Sequence, residues 1–111
     1  MELTKEAIGD VTVIRAAGDL TAATCKPLED AVRAELAAGS KRIVVDLSAV
    51  RYVASAGLRV FMIAAKNIGA DGRFILSGAN TSVRQVLDLT GLSGIIAVHP
   101  DVAEAVRAAA V

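Results

Sequence analysis

At 111 residues, with 54% hydrophobic and 3% aromatic content, the chain is sized for one domain, residues 1–111, built on an aliphatic core. Twelve basic residues balance twelve acidic ones, so no global field draws in nucleic acid or an anionic membrane. The lone Cys25 excludes an internal disulfide, no Cys/His cluster has metal-ligand spacing, and no apolar run reaches the roughly 18 residues of a membrane span; the expectation is a cytoplasmic protein with no metal, cofactor, nucleic-acid partner or direct membrane insertion.

Two β-prone runs, Leu3 to Ile8 and Val11 to Ala17, flank the turn pair Gly9-Asp10 and predict an opening hairpin. Leu28, Val32 and Leu36 then recur at helical spacing, with Thr24 as the expected N-cap, Pro27 in the first turn and Gly39 at the stop. Arg42 to Leu47 is a short β-branched run suited to a central strand. A second helix follows Ser55, which is placed at its N-cap, and Leu58, Phe61, Met62, Ala65 and Ile68 form the stripe expected to face the core.

Gly69 to Gly72 ends that helix and turns into the strand Arg73 to Ser77. Asn80 is positioned to cap a third helix carrying Val83, Val86, Leu87 and Thr90 and ending at Gly91. Ile95 to Val98 reads as a last strand, and Pro100 to Ala110 as a final alanine-rich helix. A hairpin followed by β–α alternation predicts an α/β fold, one mixed β-sheet with helices packed against it. Strand ends and helix N-termini then share a rim, and that rim carries Ser55.

Three stretches resemble the STAS family, the domain of bacterial anti-sigma factor antagonists and of the cytoplasmic tails of sulphate transporters. They are Gly18-Asp19-Leu20-Thr21, the run Asp46-Leu47-Ser48-Ala49-Val50 leading to Ser55-Ala56-Gly57-Leu58, and Val83 to Leu92 ending in Leu89-Thr90-Gly91-Leu92. The resemblance covers nearly the whole chain and is closer to the stand-alone antagonists. It implies that Ser55 is phosphorylated by a partner serine kinase that is also an anti-sigma factor. The unmodified form binds that kinase, and a phosphoserine phosphatase restores it.

The chain departs from the family pattern at two places. Ala54 stands where an aspartate commonly precedes the serine, and Thr21 where another acidic residue ends the glycine motif. On this resemblance the partner-binding rim comprises Asp19, Thr21, Ala54, Ser55, Ala56, Gly57 and Arg59, with no catalytic residue. The missing side chain of Gly57 is expected to let a kinase approach the backbone, and Arg59 to lie on the exposed side of the helix.

Two readings of Ser55 stay open at this level, a helix cap and a phosphoacceptor. Two functions stay open with them: a phosphorylation-controlled partner switch, and a constitutive STAS subunit docked in a transporter or other complex. An enzyme is disfavoured, since there is no phosphate-binding glycine loop and His99 stands apart from any nucleophile or carboxylate dyad.

Overall fold

A computed structural model describes residues 1–111. The hairpin forms as expected, from β1 (Glu2–Ile8) and β2 (Val11–Leu20), antiparallel around Gly9, whose φ of 60° supplies the left-handed turn. The chain then runs through α1 (Lys26–Ala37), β3 (Arg42–Val53), α2 (Ser55–Asn67), β4 (Arg73–Ser77) and α3 (Thr81–Leu89). It ends with a 3-10 turn (Leu92–Gly94), β5 (Ala97–His99) and α4 (Val102–Ala109). Sheet order follows sequence order, β1-β2-β3-β4-β5, with every pair after the hairpin parallel. This is the expected mixed α/β sheet.

Alternation along the strands divides the core between two faces. Ile43, Val45 and Leu47 of β3 join Leu28 and Val32 of α1, Val60, Phe61 and Ala64 of α2, and Val83 and Leu87 of α3 in the main cluster. On the opposite face Val44 joins Val11, Val13 and Ile75 beneath Ala105 and Ala109 of α4. Three helices therefore cover one face and one short helix the other. No helix is long and apolar enough to cross a membrane.

Four local expectations are corrected. Strand β3 runs past Leu47 to Val53, because its ladder with β2 resumes beyond an irregularity, pairing Ala17 with Ala49, Gly18 with Val50 and Leu20 with Val53. The last strand starts at Ala97: the amides of Ile95 and Ile96 both donate to the carbonyl of Leu92, at 2.9 and 2.7 Å, which holds them in a turn. Met62 is 47% exposed, and Val60 and Ala64 take the inward places beside Phe61 and Ile68. Thr24 does not cap α1, whose N-cap is Cys25 with no side-chain hydrogen bond.

Candidate functional site

Because β2 and β3 are parallel, their C-terminal ends reach the same rim, and α2 begins there. Gly18 has a φ of 107°, in the left-handed region, beside the second register shift between the two strands. After Leu20 the chain folds into a tight turn. The Thr21 carbonyl accepts from the amides of Thr24 and Cys25 at 3.1 and 2.9 Å. The Thr24 hydroxyl accepts from the Thr21 amide at 2.9 Å and donates to the Asp19 carbonyl at 2.5 Å. Thr24 thus fixes the loop that precedes α1.

This loop is joined to α2 by one backbone hydrogen bond, from the Ala54 amide to the Leu20 carbonyl at 2.8 Å. Ala54 is the N-cap, with φ −87° and ψ 174°, and its carbonyl accepts from the Gly57 and Leu58 amides. Ser55 is the first helical residue. That corrects the expectation that Ser55 caps the helix: the capping position holds a methyl group, and no side chain caps α2. Ser55 is exposed, with its hydroxyl at the positive end of the helix dipole.

The other expected rim residues divide by burial. Arg59 is exposed on α2, Thr21 and Ala54 are half-buried, and Ala56 packs against the core edge. Gly57 is buried. A Cβ built there would lie 2.9 Å from Val53 Cγ1 and 3.1 Å from Leu20 Cβ. The expected role of Gly57 in letting a kinase approach is therefore corrected: its missing side chain lets α2 seat against β2 and β3. Asp19 is on the rim, but one of its oxygens faces Arg51 Nη2 at 3.3 Å and the other is buried without a partner.

Asp46, the acidic residue of the second motif, belongs elsewhere. It is 7% exposed on the α4 side of the sheet, accepting from the Ser48 amide and hydroxyl at 3.1 and 3.0 Å and from the Ser77 hydroxyl at 3.3 Å. Arg15 Nε lies 3.8 Å away. Ser48 and Ser77 are thereby structural partners of a buried carboxylate. His99 ends β5, half-buried, and its carbonyl accepts from the Gly78 amide.

Asn80 caps α3 as expected, accepting from the Val83 amide at 2.8 Å. Its amide nitrogen also donates to the Val50 and Arg51 carbonyls at 3.3 Å, so α3 starts against the end of β3. Between them lies a cleft of about 250 Å³ lined by Arg51, Tyr52, Val53, Val83 and Val86 among others. Sequence reasoning missed Tyr52, which is 54% exposed. Strict alternation from Val50 would have turned it inward; the β2–β3 irregularity at Gly18 breaks that alternation.

Shifted ionisations fall on α1 and α3. The Lys5 ammonium, with Ser40 and Thr12, lowers the Glu35 carboxyl. The Ser93 hydroxyl and Arg84 lower Asp88, and the hydrogen bond that Lys26 donates to the Asp30 carboxylate raises Lys26.

A family model described as STAS domain matches residues 2–105. The chain belongs to the STAS domain family. Among STAS relatives it is 32% identical over 99 residues to BtrV of Bordetella bronchiseptica, named as an anti-sigma factor antagonist, covering 88% of this chain and 85% of BtrV. It is 29% identical over 82 residues to the anti-sigma-F factor antagonist RsfB of Mycobacterium tuberculosis, covering 74% of this chain and 67% of RsfB. The crystal structure of an anti-sigma factor antagonist from Mycobacterium paratuberculosis superposes with a TM-score of 0.93 at 26% identity, covering 99% of this chain and 94% of that one. The STAS resemblance read from the three motifs is thus borne out, as is the fold it implied.

Proposed function

We propose that this STAS protein is an anti-sigma factor antagonist that works by partner switching: it binds an anti-sigma factor serine kinase through the rim around Ser55 and releases it once Ser55 is phosphorylated. Names of the relatives support the antagonist class. The observation that carries the switch is Ser55 itself, exposed in the first turn of α2 and not engaged as a cap.

In the transfer, Ser55 Oγ attacks the γ-phosphorus of the kinase's nucleoside triphosphate. The bond to the β–γ bridging oxygen breaks, the nucleoside diphosphate leaves, and the hydroxyl proton passes to a base on the kinase. The kinase supplies metal, nucleotide and base; this chain only presents the acceptor. A phosphoserine adds roughly 1.5 to 2 negative charges, which the helix N-terminus tolerates. Across a docked interface the same charge costs several kcal/mol through desolvation and like-charge contact, and each ~1.4 kcal/mol is tenfold in affinity. Binding therefore falls while the fold persists. A phosphoserine phosphatase returns the antagonist to its binding form, and the cycle belongs in the cytoplasm.

Trypsin cleavage after Arg51 and Arg59 releases the peptide Tyr52 to Arg59, which contains one serine and no threonine. Mass spectrometry of that peptide from native cells under growth and stress should show a phosphoryl group on Ser55 whose occupancy changes with condition. An unmodified Ser55 in every condition overturns the switch and leaves constitutive docking in a larger complex.

A further inference from the structure

Helices α1 and α3 share one device, an ion pair spaced four residues apart. On α1, Lys26 meets Asp30 at 2.7 Å and Arg33 meets Glu29 at 2.9 Å; on α3, Arg84 meets Asp88 at 3.2 Å. Helix α2, the one that carries Ser55, has no such pair. Its sequence, Ser55 to Asn67, contains no acidic residue, and Arg59 is exposed without an ion-pair partner. The residue four positions before Arg59 is Ser55. We propose that Arg59 is the intramolecular partner of the phosphate on Ser55, so that phosphorylation supplies the acidic member this helix lacks.

The reading rests on Ser55 being the phosphoacceptor, and it adds what the phosphate does once attached. Helical side chains lean toward the N-terminus, so an arginine at position i+4 reaches back over the turn that holds position i. An acid N-terminal to a base is the favourable order for such a pair, and it agrees with the helix dipole. The guanidinium fork matches two phosphate oxygens at once, which a lysine ammonium does not. The other charges of the rim, Arg51 and Asp19, already face each other at 3.3 Å. Before phosphorylation Arg59 is a free cation available to an acidic partner surface. Afterwards it is neutralised in place, and the face changes sign.

The test uses full-length chain translated with phosphoserine at position 55, titrated by 31P NMR. A free phosphoserine has its second pKa near ~6. The expected result is a second pKa about half a unit lower, roughly a threefold shift in the protonation equilibrium, in the native chain than in Arg59→Gln, with Arg59→Lys between them. Arg51→Gln should leave the value unchanged. Equal titration of the native and Arg59→Gln forms overturns the proposal, as does a shift that follows Arg51 instead. Because the phosphate is installed by translation, the titration reads Arg59 whether or not cells modify Ser55. Equal titration of the two forms with variable cellular phosphorylation removes Arg59 and keeps the switch; a shift dependent on Arg59 with no cellular phosphorylation keeps the pairing and removes the switch.

Discussion

Gly57 lies directly beneath Leu20: a Cβ on Gly57 would come within 3.1 Å of the Leu20 Cβ and 2.9 Å of Val53 Cγ1. With the hydrogen bond from Ala54 to the Leu20 carbonyl, this contact locks the start of α2 onto the ends of β2 and β3. The helix that presents Ser55 is therefore positioned by backbone and by the absence of a side chain.

Gly57→Ala should destabilise the fold. Alanine favours a helix interior by up to about 1 kcal/mol, but overpacking against two buried, well-fixed neighbours costs about 1–3 kcal/mol. Urea unfolding should show a net loss of about 1 kcal/mol, larger for Gly57→Val. A stabilised Gly57→Ala would mean that α2 can lift from the sheet at no cost.

Ser55→Ala and Asn80→Ala should behave differently although each residue stands at a helix start. Ser55 is the first helical residue and caps nothing, so its removal should change stability by less than about 0.5 kcal/mol. Asn80 satisfies the Val83 amide and reaches two β3 carbonyls, so Asn80→Ala should cost about 1–2 kcal/mol. Paired thermal melts decide between them; a comparable loss at Ser55 would return that residue to a capping role.

The strands, helices and rim were legible in the sequence because period, glycine stops and β-branched runs are local signals. Asn80 as a cap was read for the same reason. Some misplacements were local, as where the Leu92 carbonyl holds Ile95 and Ile96 in a turn, while those at the rim depended on contacts between distant segments. Gly57 faces Leu20 only once β2 and β3 are aligned, and Tyr52 turns outward because of a register shift set partly by Gly18. The helix start was displaced by one residue since a serine beside a helix reads as a cap, whereas the hydrogen bond to Leu20 holds Ala54 extended in that place. Asp46 opens the motif that leads to Ser55, and its sequence position leaves its face open; alternation along β3 turns it to the α4 side beside Ser77.

Ala54→Asp should stabilise the protein. The backbone at Ala54 already has the extended N-cap conformation, and a carboxylate there can accept from the Ala56 or Gly57 amide. The expected gain is about 1 kcal/mol at neutral pH, read from urea unfolding, and it should fade in acid as the new carboxyl protonates. An unchanged midpoint would mean that the added side chain disrupts the Ala54–Leu20 hydrogen bond.

Glu35 should set part of the acid sensitivity of the fold. Its carboxylate receives Lys5 Nζ at 2.7 Å, the Ser40 hydroxyl at 2.8 Å and the Thr12 hydroxyl at 3.1 Å, which ties α1 to the hairpin and to its own exit turn. The Lys5 hydrogen bond, then that from Ser40, holds its pKa below the ordinary glutamate value. A lowered folded pKa means that the unfolded chain binds the proton first on acidification. The stabilisation is therefore complete above the unfolded pKa of about 4.3 and is lost as pH falls through the lower folded value. Glu35→Gln should be less stable than the native protein at pH 7 and should lose less further stability between pH 5 and pH 3, taking those pH values as about a unit either side of the unfolded pKa. Parallel stability curves for the two proteins across that interval would show that Glu35 keeps the same proton affinity folded and unfolded, and would remove the Lys5–Glu35 pair from the account of how α1 is held.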